Sequence, residues 1–216
     1  MARESLEKRF LRSNCEIFSD AEILELLLRH TSVDSHELAQ TLLRQYPTIA
    51  DLLEVRFEDL RHIEGMDDDS AGILRLVPEL QRRYFLSRTR ADSRLLDSSA
   101  YGRYLLPHFM GRRDETVFLL MLDAACNVLN CKMLGEGSVN SANVPIRKLV
   151  HEAINANATG LVLAHNHPSG IAIPSPEDVE ITLRLREALE IMELHLLDHL
   201  IFADDDFVSL RESGYL

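Results

Sequence analysis

Residues 160–178 read "GLVLAHNHPSGIAIPSPED". The stretch opens on a short apolar run suited to a buried strand, breaks at Pro168, Ser169 and Gly170, and restarts at Ser175 with the marks of a helix N-terminus. Ser175 is a strong N-cap. Pro176 suits the first helical position, and the acids Glu177 and Asp178 follow in the first turn, where the helix dipole favours negative charge. Strand, loop and capped helix in this order predict an α/β unit. Strand side chains alternate between faces, so His165 and His167 point to one side and Asn166 points away from it.

A loop folding back beneath the strand end aims Asp178 at the two imidazoles. Two histidines and one aspartate give three nitrogen and oxygen ligands without sulfur. That is the set of a catalytic zinc site, whose fourth position keeps a water with its pKa lowered from about 15.7 to about 7. Each residue alone has a commoner role, as a packed histidine or a helix-start acid. Their joint occurrence with the strand break and the cap favours the metal. Two histidines and a carboxylate also hold iron in oxygenases, but with other spacings and with co-substrate sites that this sequence does not offer.

Outward from this stretch, "TVFLLMLD" (116–123) and "HLLDHLIF" (195–202) read as further strands, followed by "FVSL" (207–210). "IRKLVHEAINAN" (146–157) and "SPEDVEITLRLREALEIM" (175–192) have helical spacing. The pattern predicts a three-layer mixed sheet. Upstream, "SDAEILELLLRH", with Ser19 as N-cap, "SHELAQTLLRQY" and "TIADLLEV" predict a small helical domain. The periodicity is lost in "SRTRADSRLLDSS" (87–99). The expected organisation is therefore a helical domain at 1–90, a linker at 91–98 and the α/β domain at 99–216.

The chain has 216 residues, 46% hydrophobic and 27% charged, enough to bury a real core. Its formal net charge of −12 supplies no general attraction to nucleic acid or to anionic membranes. The first residues lack the apolar run of a secretory signal and no later segment reaches the roughly 18 to 20 apolar residues of a membrane span, so a soluble, cytoplasmic protein is expected. The cysteines, Cys15, Cys126 and Cys131, have no C-x-x-C spacing and are expected to be buried thiols.

"HNHPSGIAIPSPED" resembles the JAMM/MPN metalloprotease signature, H-x-H-P followed by six residues and S-x-x-D, with His165, His167, Pro168, Ser175 and Asp178 in register. Together with "NATGLVLAHNHPSG", "DHLIF" and "FVSLRESG", it is similar more narrowly to the bacterial RadC branch. The resemblance implies an MPN domain of cytidine-deaminase-like architecture behind a degenerate helix-hairpin-helix-like domain. It also implies Zn2+ on His165, His167 and Asp178. In "RRDETVFLLMLD" it assigns to Glu115 the activation of the metal-bound water, and to Ser175 the stabilisation of an oxyanion. The family repeats the Asp198–His199 pair, for which a core hydrogen bond and a partner to a ligand are both open readings.

Two stretches depart from the family. Lys148 in "NVPIRKLVHEA" stands where RadC proteins carry an acid, and Asp67, Asp68 and Asp69 follow Gly65 at the hairpin, where acids oppose phosphate binding. The expected function is a zinc hydrolase of an amide or isopeptide bond in a protein or peptide. A DNA-processing factor and a non-catalytic interaction module are the alternatives. A scaffold or protein-docking role is expected for the first domain.

Overall fold

The computed structural model describes residues 5–13, 17–31, 34–89, 94–137 and 145–216. The chain divides into two compact units, Met1–Gln81 and Arg82–Leu216. One long helix, Asp68–Thr89, runs across this division. Residues 90–93 of the expected linker lie outside the described residues, as does Cys15.

The first unit is helical: α1 (Leu6–Arg12), α2 (Asp20–Leu28), α3 (Ser35–Gln45), α4 (Ile49–Leu53), α5 (Phe57–Leu60) and the start of α6 (Asp68–Thr89). Ser19 caps α2 in a full capping box with Glu22, and Thr48 caps α4 in the same way with Asp51. Leu24, Leu28, Leu38, Leu42, Leu52 and Leu74 form its core. The acids after Gly65 serve the start of α6. Asp67 Oδ1 accepts from the Ser70 amide at 2.7 Å, and Asp68 pairs with the Arg61 guanidinium at 2.7 Å.

The second unit holds α7 (Ser98–Phe109), β1 (Thr116–Leu122), β2 (Val128–Glu136), α8 (Ile146–Asn155), β3 (Gly160–Asn166), α9 (Pro176–Glu190), β4 (His195–Ala203) and β5 (Asp206–Ser209). The sheet order is β2-β1-β3-β4-β5. Only β3 and β4 run parallel, with α9 as their crossover. Strand alternation sorts the side chains into two cores. Val117, Leu119, Met121, Leu161 and Leu163 pack with Leu149 of α8 and Leu185 and Leu189 of α9. Phe118, Leu120, Val162, Ala164, Leu200 and Phe202 pack with Leu105 and Phe109 of α7. The result is a three-layer sandwich, α7 on one face and α8 with α9 on the other.

β2 and α7 are elements that the sequence pattern does not announce. β2 is an edge strand with Leu129 and Met133 each 43% exposed, and its pairing with β1 shifts register twice, so it shows no clean alternation. Cys126 and Cys131 are half-buried rather than buried. The Cys131 thiol nonetheless packs against the α7-side core, and desolvation pushes it up to about 12. Among the described residues no helix is long and apolar enough to cross a membrane.

Candidate metal centre

One strand end and one helix cap build the site. His165, fully buried, is the last residue of β3 paired with β1, opposite Val117. The next ring is carried by His167, whose amide donates to Phe202 O of β4 at 2.8 Å, so the chain stays on the sheet one residue beyond β3. Gly170 then turns with φ +75°, and its amide donates to His167 O at 3.1 Å. At the far end of the loop Ser175 and Asp178 form a capping box. The Asp178 amide donates to Ser175 Oγ at 3.1 Å, and Asp178 Oδ2 accepts from the Ser175 amide at 2.9 Å. Oδ2 also accepts from the Ser175 hydroxyl at 2.6 Å. The device that starts α9 thus fixes the Asp178 carboxylate, with a side chain only 5% exposed.

The three side chains converge. His165 Nε2 lies 3.0 Å from His167 Nε2 and 3.1 Å from Asp178 Oδ1, and His167 Nε2 lies 3.4 Å from Asp178 Oδ2. Tetrahedral zinc with bonds of about 2.0–2.1 Å needs donor atoms about 3.3 Å apart, so the cluster closes on a single ion of that size with little movement. The His167 side chain is 20% exposed while the other two are nearly buried, which leaves one side open to solvent.

Hydrogen bonding also sets the tautomers. The Thr182 hydroxyl donates to Asp178 O at 2.5 Å, so its oxygen accepts the Nδ1–H of His199 at 2.6 Å. His199 Nε2 is then an acceptor and takes the Nδ1–H of His165 at 2.9 Å. Burial, reinforced by the neighbouring His165, holds the His199 ring well below the ordinary imidazole range, which keeps it neutral as the chain of bonds requires. His167 donates its own Nδ1–H to Ile171 O at 3.0 Å. Both histidines therefore turn an Nε2 lone pair toward Asp178, the state in which they could hold a metal ion.

Thr182 and the Ile171 carbonyl went unread in the sequence. Thr182 lies four residues after Asp178 on one face of α9, a spacing that could have found it. The Ile171 carbonyl carried no signal in the residue type. Thr182→Val keeps the volume and removes the acceptor for His199. Zn2+ affinity is expected to fall roughly 10- to 100-fold, as when other outer partners of a ligand are lost, with competition against a chromophoric chelator as the measurement.

The other expected residues lie as follows. Glu115 precedes β1 directly. Its carbonyl accepts the Gly137 amide at 2.9 Å, and it stands two residues before Val117, which pairs with His165. Asn166 faces the α7 side, and its carboxamide binds the backbone on either side of Glu115. Asp198 and His199 are adjacent in β4 and so face opposite layers. His199 reaches His165, and Asp198 anchors Ser98 and Ser209 at 2.6 and 2.7 Å. Lys148 donates to Leu134 O of β2 at 2.7 Å, which makes it a strut between α8 and the sheet edge.

The fold and the cluster together define an α/β domain with a metal-competent His-His-Asp set at the end of its parallel strand pair, the place where sheet proteins bind ligands. Residues 95–215 match the family model for the RadC-like JAB domain, and the chain belongs to that family of JAB/MPN domains.

Proposed function

We propose that this protein is a zinc-dependent hydrolase acting on an amide or isopeptide bond of a protein or peptide. The observation that carries the reading is the convergence of His165 Nε2, His167 Nε2 and Asp178, with both Nδ1 atoms already engaged elsewhere. Bound there by these three side chains, Zn2+ would supply Lewis acidity and bring a water toward a pKa of about 7. Glu115, directly before β1, takes a proton from the attacking water on its carboxyl group and passes it to the leaving nitrogen. Ser175 holds Asp178 through its cap, and its hydroxyl serves the carbonyl oxygen of the substrate by rotating off Asp178 Oδ2.

The rim supports a polypeptide rather than a polyanion. Ile171 and Ile173, 57% and 69% exposed, stand on the loop between His167 and Ser175. The exposed acids Asp204 and Asp205 in the turn after β4, and Asp206 at the start of β5, follow, close enough that a Cβ on Gly170 would lie 3.4 Å from Asp204 Oδ2. Acids so placed repel a phosphate backbone, which weighs against the DNA-processing alternative.

The test joins metal analysis of the purified protein to a proteome-wide comparison of peptides released by wild type and by Glu115→Gln. The expected result is about one zinc per chain in both and a set of cleavages present only with wild type. Identical peptide sets from the two proteins would overturn the hydrolase reading.

A further inference from the structure

Backbone pairing of β1 with β3 ends at Val117 and His165. Beyond it the two strand ends have different partners. The His167 amide turns to Phe202 O of β4, and the Glu115 carbonyl takes the Gly137 amide from the end of β2. Glu115 and His167 therefore stand across a break in the ladder, held by opposite halves of the sheet. One side chain bridges that break. Asn166 Oδ1 accepts from the Thr116 amide at 2.7 Å, and Asn166 Nδ2 donates to Asp114 O at 3.3 Å.

We infer that Asn166 is a positioning residue for Glu115: its carboxamide replaces the missing ladder bonds and fixes how far Glu115 stands from the His165, His167 and Asp178 cluster. The inference rests on the reading of Glu115 as the group that works on the attacking water. Its two bonds fall on the peptide units flanking Glu115, so the backbone of that one residue is clamped from β3 while Gly137 clamps it from β2. The clamp is dry. Asn166 is 6% exposed and Thr116 is fully buried, with its hydroxyl also donating to Asp114 O at 3.1 Å.

The residue type matters because one planar group must present an acceptor to an N–H and a donor to a C=O. Aspartate would set an oxygen against Asp114 O, leucine offers neither group, and glutamine is one methylene too long for the same fit. Asn166 lies on the face away from the ligands, so it touches neither metal nor substrate and acts only through the segment that carries Glu115.

The experiment uses the full chain loaded with Co2+, whose visible absorption reports the coordination sphere and its bound water, in wild type, Glu115→Gln, Asn166→Leu and the double variant. Each is expected to hold one Co2+. Glu115→Gln is expected to change the absorption envelope, Asn166→Leu to change it in the same direction, and the double variant to add nothing beyond Glu115→Gln. Amide exchange at Thr116 is expected to quicken roughly tenfold or more in Asn166→Leu, the loss of one buried hydrogen bond. If Asn166→Leu only lowers Tm and keeps the wild-type envelope while Glu115→Gln alters it, Asn166 is structural and the inference falls, with Glu115's role intact. If Glu115→Gln itself keeps the wild-type envelope, the role of Glu115 fails and takes the inference with it. Should Asn166→Leu not fold, Asn166→Asp, which keeps the acceptor for Thr116 and loses the donor, is read in the same way.

Discussion

His165→Ala/His167→Ala is expected to fold and to retain no Zn2+ after dialysis, where wild type keeps close to one ion per chain. Four-ligand zinc sites contribute about 10–16 kcal/mol, so each protein ligand accounts for roughly 3 kcal/mol and the pair for about four orders of magnitude in affinity. Elemental analysis of the dialysed proteins measures the loss, and far-UV circular dichroism checks the fold. A wild-type chain that folds yet never retains a divalent metal would remove the basis of the hydrolase reading.

The fold survives the double change because the two rings are bonded unequally into it. His167 is partly exposed, and its ring makes one backbone contact, to Ile171 O. His165 is fully buried, and its loss leaves His199 Nε2 without a donor, at about 1–3 kcal/mol. The surrounding strands keep their ladders, since Val117 pairs with the His165 backbone and not with its ring. His167→Ala alone is the milder control for stability.

The legible parts of the site were those encoded by spacing. Alternation gave the shared face of His165 and His167, and the Ser175 cap gave the position of Asp178, because both are local rules that the tertiary fold had no reason to break. The strands β1, β3 and β4 were legible as apolar runs because both of their faces are buried. β2 was not, since an edge strand with wet faces and two register shifts carries no period to read. Contacts between elements were hidden, or left open, for a related reason. Thr182 and Asn166 act across elements, and whether a polar side chain meets a ring or a backbone amide depends on strand order, which spacing along the chain does not reveal; for the same reason the reading of His199 stayed open between a core bond and a partner to His165. Asn166 shows the limit well: alternation turned it away from the metal and so removed it from the site, while the register of β1 against β3 sets its carboxamide around Glu115.

Asp198→Ala is expected to destabilise the second unit by about 3–5 kcal/mol and to lower its Tm by roughly 10–15 °C, read by thermal unfolding of the apo protein. The carboxyl group is fully buried and accepts four donors: the hydroxyls of Ser98 and Ser209 and the amides of His199 and Arg211. These come from the first residue of α7, from β4 itself, from the end of β5 and from the turn after it, so one side chain ties the α7 layer to the C-terminal edge of the sheet. Alanine leaves three buried donors, the hydroxyls of Ser98 and Ser209 and the His199 amide, without this acceptor, and a stranded buried donor costs more than the bond contributes when made. Ser98→Ala removes a single donor and is expected to cost only about 1 kcal/mol, which gives the comparison its control. The variant also separates Asp198 from its neighbour. His199 faces the opposite layer and holds His165, so Asp198→Ala is expected to leave Zn2+ binding to the folded fraction near wild type, whereas loss of metal in step with stability would tie the staple to the site.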